Sequence, residues 1–157
     1  MKNLPPLFYH VDAMFISAMR RWGFLFLRVS LGAVFLWFGM LKLFGVSPVA
    51  QLVQSTYYFL PGQWLMITLG EVEVLIGICL ISGIMLRLAL GLLWIQMAGT
   101  FASFFLNPSL FFMHGNILLL TTEGEFIVKN LVLLSGGIVL GGYAVKPLSA
   151  AGRQANP

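Results

Sequence analysis

Four stretches of mostly apolar residues, at 24–44, 64–85, 88–106 and 125–143, constrain this chain more than any other feature. A helix crosses the hydrocarbon core of a bilayer, ~30 Å thick, with about 20 such residues, and each run meets that length. The second and third runs nearly abut. A single helix over 64–106 would reach about 64 Å at ~1.5 Å per residue, twice the thickness to be crossed. It must fold back, and Gly83 and Arg87 mark the bend. Composition agrees: 59% of the residues are apolar and 9% charged, against roughly 25% charged in soluble domains. So little polar surface cannot face water on all sides.

The expected fold is all-α, a four-transmembrane-helix bundle in one membrane domain over 24–146. Residues 1–23 form a cytoplasmic or interfacial N-terminal segment, within which 8–22 read as an amphipathic helix at the membrane surface. Residues 147–157 are expected to be a disordered cytoplasmic tail. The first 23 residues contain Pro5, Pro6, His10, Asp12, Arg20 and Arg21, which does not fit a cleavable signal. Lys and Arg occur before the first run (Lys2, Arg20, Arg21), between the second and third (Arg87) and after the fourth (Lys146, Arg153). The connections at 45–63 and 107–123 carry none. Basic segments stay in the cytoplasm, so both termini are expected there. The expected location is a bacterial inner (plasma) membrane. The first outer connection has apolar residues at helical spacing over 48–60, with Tyr57 and Tyr58, and reads as a short interfacial helix.

Several function classes are disfavoured. The net charge of +4 comes from residues at the ends of apolar runs, not from a basic face that grips nucleic acid. Cys79 is the one cysteine and lies within an apolar run, so a dithiol centre is excluded and redox equivalents would have to come from elsewhere. The only histidines, His10 and His114, fall on opposite sides of the expected topology, which argues against bis-histidine haem. No metal-ligand spacing, phosphate loop or nucleophile–base motif is present. No covalent cofactor or metal is expected.

The charges inside the runs carry the functional signal, because a charge at mid-bilayer costs roughly 2.5–3.5 kcal/mol or more. Arg28, Gly32, Phe35, Gly39 and Lys42 recur at helical spacing along one stripe of the first run. Gly70, Glu73 and Gly77 do the same on the second, with Glu71 pointing elsewhere, about 160° away. On the fourth, Glu125 and Lys129 stand in the favourable i, i+4 order, and Lys129, Leu133, Gly136 and Leu140 form the expected inward stripe. Antiparallel threading brings Lys42, Glu73, Lys129, Thr100 and either Glu71 or Glu125 to one level beneath the outer surface, which Gln96 and Ser103 on the third run also approach, with Arg28 apart near the inner one. Trp37 is a candidate to flank a ligand ring or simply to pack. Two readings stand: a salt-bridge network that orders the bundle, or a site for a ligand head group or for protons.

Three segments resemble the DoxX family of small four-helix membrane proteins, broadly including DoxD-like subunits. They are LRVSLGAVFLWFGMLKL at 27–43, similar to R-x3-G…G-x2-K-L; EVLIGICLISGIMLRLAL at 73–90, similar to E-x3-G-x2-L-x2-G-x3-R-L-A; and FIVKNLVLL at 126–134. The resemblance implies a four-helix bundle and carries over Arg28, Lys42, Glu73, Arg87 and Lys129 as matching charged positions. The TTEGEF segment at 121–126 and the second carboxylate, Glu71, depart from the family's common pattern. What the resemblance implies for activity is a membrane component of a quinone-linked redox or oxidative-stress system, holding a quinone or a lipid. Its partners would be the bilayer, a redox protein and other copies of the chain. A non-catalytic scaffold subunit and a small-solute or ion transporter are the alternatives.

Overall fold

The computed structural model describes residues 6–145, and five α-helices account for most of them. They are α1 (Pro6–Leu43), α2 (Ala50–Thr56), α3 (Gly62–Ser82), α4 (Leu86–Leu106) and α5 (Thr122–Ala144). Two single 3-10 turns, Pro108–Leu110 and Met113–Gly115, lie between α4 and α5. Four helices are long and apolar enough to cross a bilayer. Among the described residues β pairing is confined to one isolated bridge, Phe112 to Leu120. The expected tail at 147–157 lies outside the described residues.

In lipid, a helix must satisfy its own backbone, and the apolar runs therefore become helices whatever their side-chain pattern. The breaks follow local chemistry. Gly83 ends α3 at φ +76°, its N–H closing on Cys79 O, a left-handed cap that glycine adopts without strain. Met85, at φ 52°, completes the reversal into α4. At the start of α5 the Thr121 hydroxyl accepts from the Gly124 N–H, and Glu123 and Glu125 occupy its positively polarised first turn.

The N-terminal segment differs from expectation. Residues 8–22 continue α1 without a break. Gly23 is the one weak helix former near the junction, and a single glycine costs only about 1 kcal/mol in a helix. At ~1.5 Å per residue the 38 residues of α1 reach about 57 Å. The first part of it stands beyond the bundle, and residues 7–22 are all exposed.

The four long helices pack in the cyclic order α1, α3, α4, α5, so α3 and α5 sit diagonally. The α1–α3 contact is the closest, and it is made by glycines. A Cβ placed on Gly77 would lie 2.6 Å from Leu36 N and 2.8 Å from Gly32 O. One on Gly39 would lie 2.7 Å from Val74 N and 2.8 Å from Gly70 O. Gly32 thus faces Gly77, and Gly39 faces Gly70, about two turns on in both helices: an antiparallel seam with backbone on backbone. Lipid supplies no hydrophobic drive between helices, so such close packing and polar contacts must hold them. Leu31, Phe35, Ile76, Leu80, Leu93 and Leu140 fill the centre of the bundle.

Candidate functional site

The glycine seam determines where the buried charges meet. With the α1 and α3 backbones touching at Gly39, Glu73 lies at the level of that glycine, and the Lys42 side chain, one turn along α1, reaches it. Lys42 Nζ lies 2.5 Å from Glu73 Oε2, with both side chains buried. Gln96, from α4, donates through Nε2 to Glu73 Oε1. A carboxylate paired with an ammonium can only accept, so this contact fixes the amide: its nitrogen faces Glu73, and Oε1 is left buried with no hydrogen-bond partner. The cluster joins three helices.

Beside it lies a cavity of about 540 Å³, within the 300–1,000 Å³ typical of small-molecule sites. Its walls are largely apolar, with Phe35, Phe38, Leu69, Met97, Ile127 and Leu133 among them. Lys42, Glu73, Gln96, Thr100, Lys129 and Asn130 supply the polar positions. One end is roofed by α2 and the turn after it, through Leu52, Val53, Thr56, Tyr57 and Leu60. Tyr57 fastens that roof: its hydroxyl donates to Gly99 O on α4 at 2.7 Å. Burial raises the Tyr57 phenol above its usual pKa, which keeps the donating proton in place. The Thr56 side chain is buried, and its hydroxyl has no partner. The second connection closes a neighbouring corner, with Phe111 fully buried against Phe104.

The expected site residues divide into four groups. Lys42, Glu73 and Thr100 come together at the cavity. Lys129 also reaches it, but from the rim: its side chain is 73% exposed and lies 3.0 Å from Glu125. The buried residues of α5 are Gly124, Ile127, Asn130, Gly136, Gly137 and Leu140, so the expected stripe holds at Gly136 and Leu140 but is rotated by one position at Lys129. This shift turns Asn130 inward and Lys129 to the edge. Glu125 does not line the cavity, and Glu71 is exposed on the outer face of α3. Trp37 is 68% exposed and points away, so Phe35 and Phe38 are the aromatic walls.

Arg28 lies at the far end of the bundle. Its guanidinium packs on Gly83, at the C-terminus of α3, where a helix carries partial negative charge. This is the place of a structural cation. His114 sits exposed in the second connection, and no group of histidine, cysteine and carboxylate side chains able to hold a metal occurs among the described residues.

Asn130, Thr56 and Tyr57 are the polar cavity residues that pattern reading did not single out. Gln96 was visible as a polar residue deep in an apolar run. Asn130 was masked by its charged neighbour, and Tyr57 reads from sequence as an ordinary interfacial aromatic.

The sequence matches the family model described as DoxX over residues 23–115, more than half of the chain. The match includes Arg28, Lys42, Glu73 and Gln96 and stops before α5. No curated protein and no solved structure matches the chain.

Proposed function

The chain belongs to the DoxX family, and from that premise we propose that it is a membrane component of a quinone-linked redox or oxidative-stress system whose cavity holds the head group of a quinone. The observation that carries this reading is the form of the cavity: apolar walls over a few convergent polar groups, all at one level of the bundle. A quinone has a flat apolar ring with polar oxygens at its edge, and such a wall suits it. Phe35 and Phe38 flank the ring. Lys129 and Asn130 donate to a ring oxygen from the α5 side, while Gln96 Oε1 accepts from a ring hydroxyl in the reduced form. Glu73, which accepts from Lys42 and Gln96, is the group nearest at hand to take a proton. Electrons come from a soluble substrate or a partner protein.

In this reading both termini face the cytoplasm, because Arg20, Arg21 and Arg87 gather at the end of the bundle away from the cavity. The cavity then lies in the outer half of a plasma membrane.

The test is binding of a short-chain quinone to the purified protein in nanodiscs, followed by tryptophan quenching or calorimetry. The expected result is saturable binding that weakens at least tenfold in Glu73→Gln and Lys129→Met. Unchanged affinity in both variants would remove the site assignment, and no saturable binding by the parent protein would remove the reading. In that case the Lys42–Glu73–Gln96 cluster is a structural brace, as a scaffold subunit would need.

A further inference from the structure

The outward faces of the four spanning helices are not alike. Within the bundle, α1 presents Leu25, Phe26, Val29 and Trp37 outward, and α4 presents Trp94, Ile95, Ala98 and Phe105. Those faces suit lipid. The other two helices add charge to an apolar face: α3 presents Thr68 and Glu71 beside Leu75 and Ile78, and α5 presents Glu125 and Lys129 beside Val128, Leu131 and Val132. Glu71 is the tenth of the 21 residues of α3, close to mid-span. It forms no ion pair or hydrogen bond among the described residues. A carboxylate turned outward at that depth faces hydrocarbon, at a cost of a few kcal/mol.

Lys129 stands at the same level. Glu73, two residues from Glu71, lines one cavity together with Lys129, so the two outward charges lie at similar depth. The bundle order makes α3 and α5 diagonal, so they point in opposite directions. One copy therefore carries an unpaired carboxylate on one side and an outward ammonium, at the same depth, on the other. The Lys129–Glu125 contact does not tie up the ammonium. Its side chains are 73% and 58% exposed, an ammonium has three donor hydrogens and can serve a second carboxylate, and Glu125 lies in the first turn of α5, where the helix N-terminus supports it.

We propose that the chain self-associates head to tail within the membrane, the α3 face of one copy meeting the α5 face of the next, with Glu71 of the first pairing with Lys129 of the second. The two surfaces are different, so the contact is heterologous and repeats until a ring closes. An unpaired Glu71 on one face and, at a similar level on the opposite face, a Lys129 whose ammonium so far meets only Glu125 of its own helix fit a second copy of this chain. Lys129 also lines the cavity rim, and the cross-linking below, which reads proximity between copies and not ligand binding, separates the two roles.

The test uses the full chain in lipid nanodiscs or liposomes, with Cys79→Ala as background. Differently tagged copies carrying Glu71→Cys and Lys129→Cys are co-expressed and oxidised. A disulfide-linked dimer that forms only when both tags are present is expected, and the doubly substituted chain should give a ladder of higher species. Native mass spectrometry should show an oligomer for the parent. Its share should fall at least fivefold in Glu71→Lys and in Lys129→Glu and recover in the charge-swapped double variant. A monomeric parent, or cross-linking of Glu71→Cys to itself as readily as to Lys129→Cys, would overturn the proposal. The cysteine experiment decides the matter even if the charge reversals fold poorly.

Discussion

Lys42 and Glu73 are each costly alone in this interior. Removing one partner of a buried pair leaves the other charge uncompensated, at about 3–5 kcal/mol, whereas replacing both can be nearly neutral. Lys42→Met or Glu73→Gln alone should therefore lower thermal stability in detergent by roughly 3 kcal/mol. The double variant should recover much of the loss, and strictly additive losses would show that the pair does not act as a unit. Lys129 provides the contrast, since its contact with Glu125 is exposed. Lys129→Ala should change detergent stability by no more than about 0.5 kcal/mol, measured in the same melts. Tyr57 is a third case. Burial raises its pKa, so the fold favours the neutral phenol. Its contribution, about 1 kcal/mol through the bond to Gly99 O, is present below the ordinary tyrosine pKa and declines as pH rises above it. Tyr57→Phe should lose that stabilisation at neutral pH and show a flatter stability profile above about pH 10; equal profiles would remove the assigned role.

At the scale of elements, the α1–α3 seam sets the geometry of everything around it. A methyl at Gly77 would press on Leu36 N at 2.6 Å and Gly32 O at 2.8 Å, and backbone atoms cannot step aside as a side chain can. Gly77→Ala should separate the helices and cost about 1–3 kcal/mol, as overpacked sites do. Gly91 is the control. It lies within α4 with nothing inside 4 Å of an added Cβ, so Gly91→Ala should be neutral or stabilising by up to about 1 kcal/mol. Comparable melting shifts in the two variants would mean that the seam is not under the strain described. Gly77→Ala should also weaken any ligand binding in the cavity, because moving α1 from α3 pulls Lys42 away from Glu73. The α2 roof behaves differently. It is seven residues long, too short to be stable alone, and its hold on α4 includes the Tyr57 latch. In Tyr57→Phe the cavity should exchange ligand faster in stopped-flow measurements with little change in the bundle itself.

The whole molecule is an antiparallel bundle with its two described ends at one end of the barrel and its cavity near the other. In the orientation proposed above from the positive-inside rule, the first end is cytoplasmic. Reporter domains fused after residue 157 should therefore be active only if they work in the cytoplasm, and a cysteine introduced at Ser109 should react with an impermeant maleimide added from outside whole cells. The reverse pattern would invert the orientation while leaving the bundle intact. The long α1 adds a feature that the span count did not imply, a helical arm continuous with the first span and exposed along its length.

The four spans and the fold class were readable in the sequence because a bilayer leaves so few options, although the start of α1 at Pro6 was not. Apolar length decides what crosses, and uncompensated backbone must be helical. The stripe on the first run and the choice of Glu73 over Glu71 were readable too, since 3.6-residue periodicity fixes which residues share a face. Periodicity does not fix the rotation of a helix about its own axis to within one residue. That is why Lys129 reads as inward although Asn130 is, and why Trp37 reads as a wall that Phe38 supplies. Three matters were decided by the tertiary structure alone: the contact of α1 and α3 at backbone distance, the hydrogen bond from Gln96 to Glu73, and the folding of α2 over the cavity. Each depends on which helices are neighbours and on their register, and in lipid neither follows from where apolar residues fall, because the solvent is as apolar as the side chains.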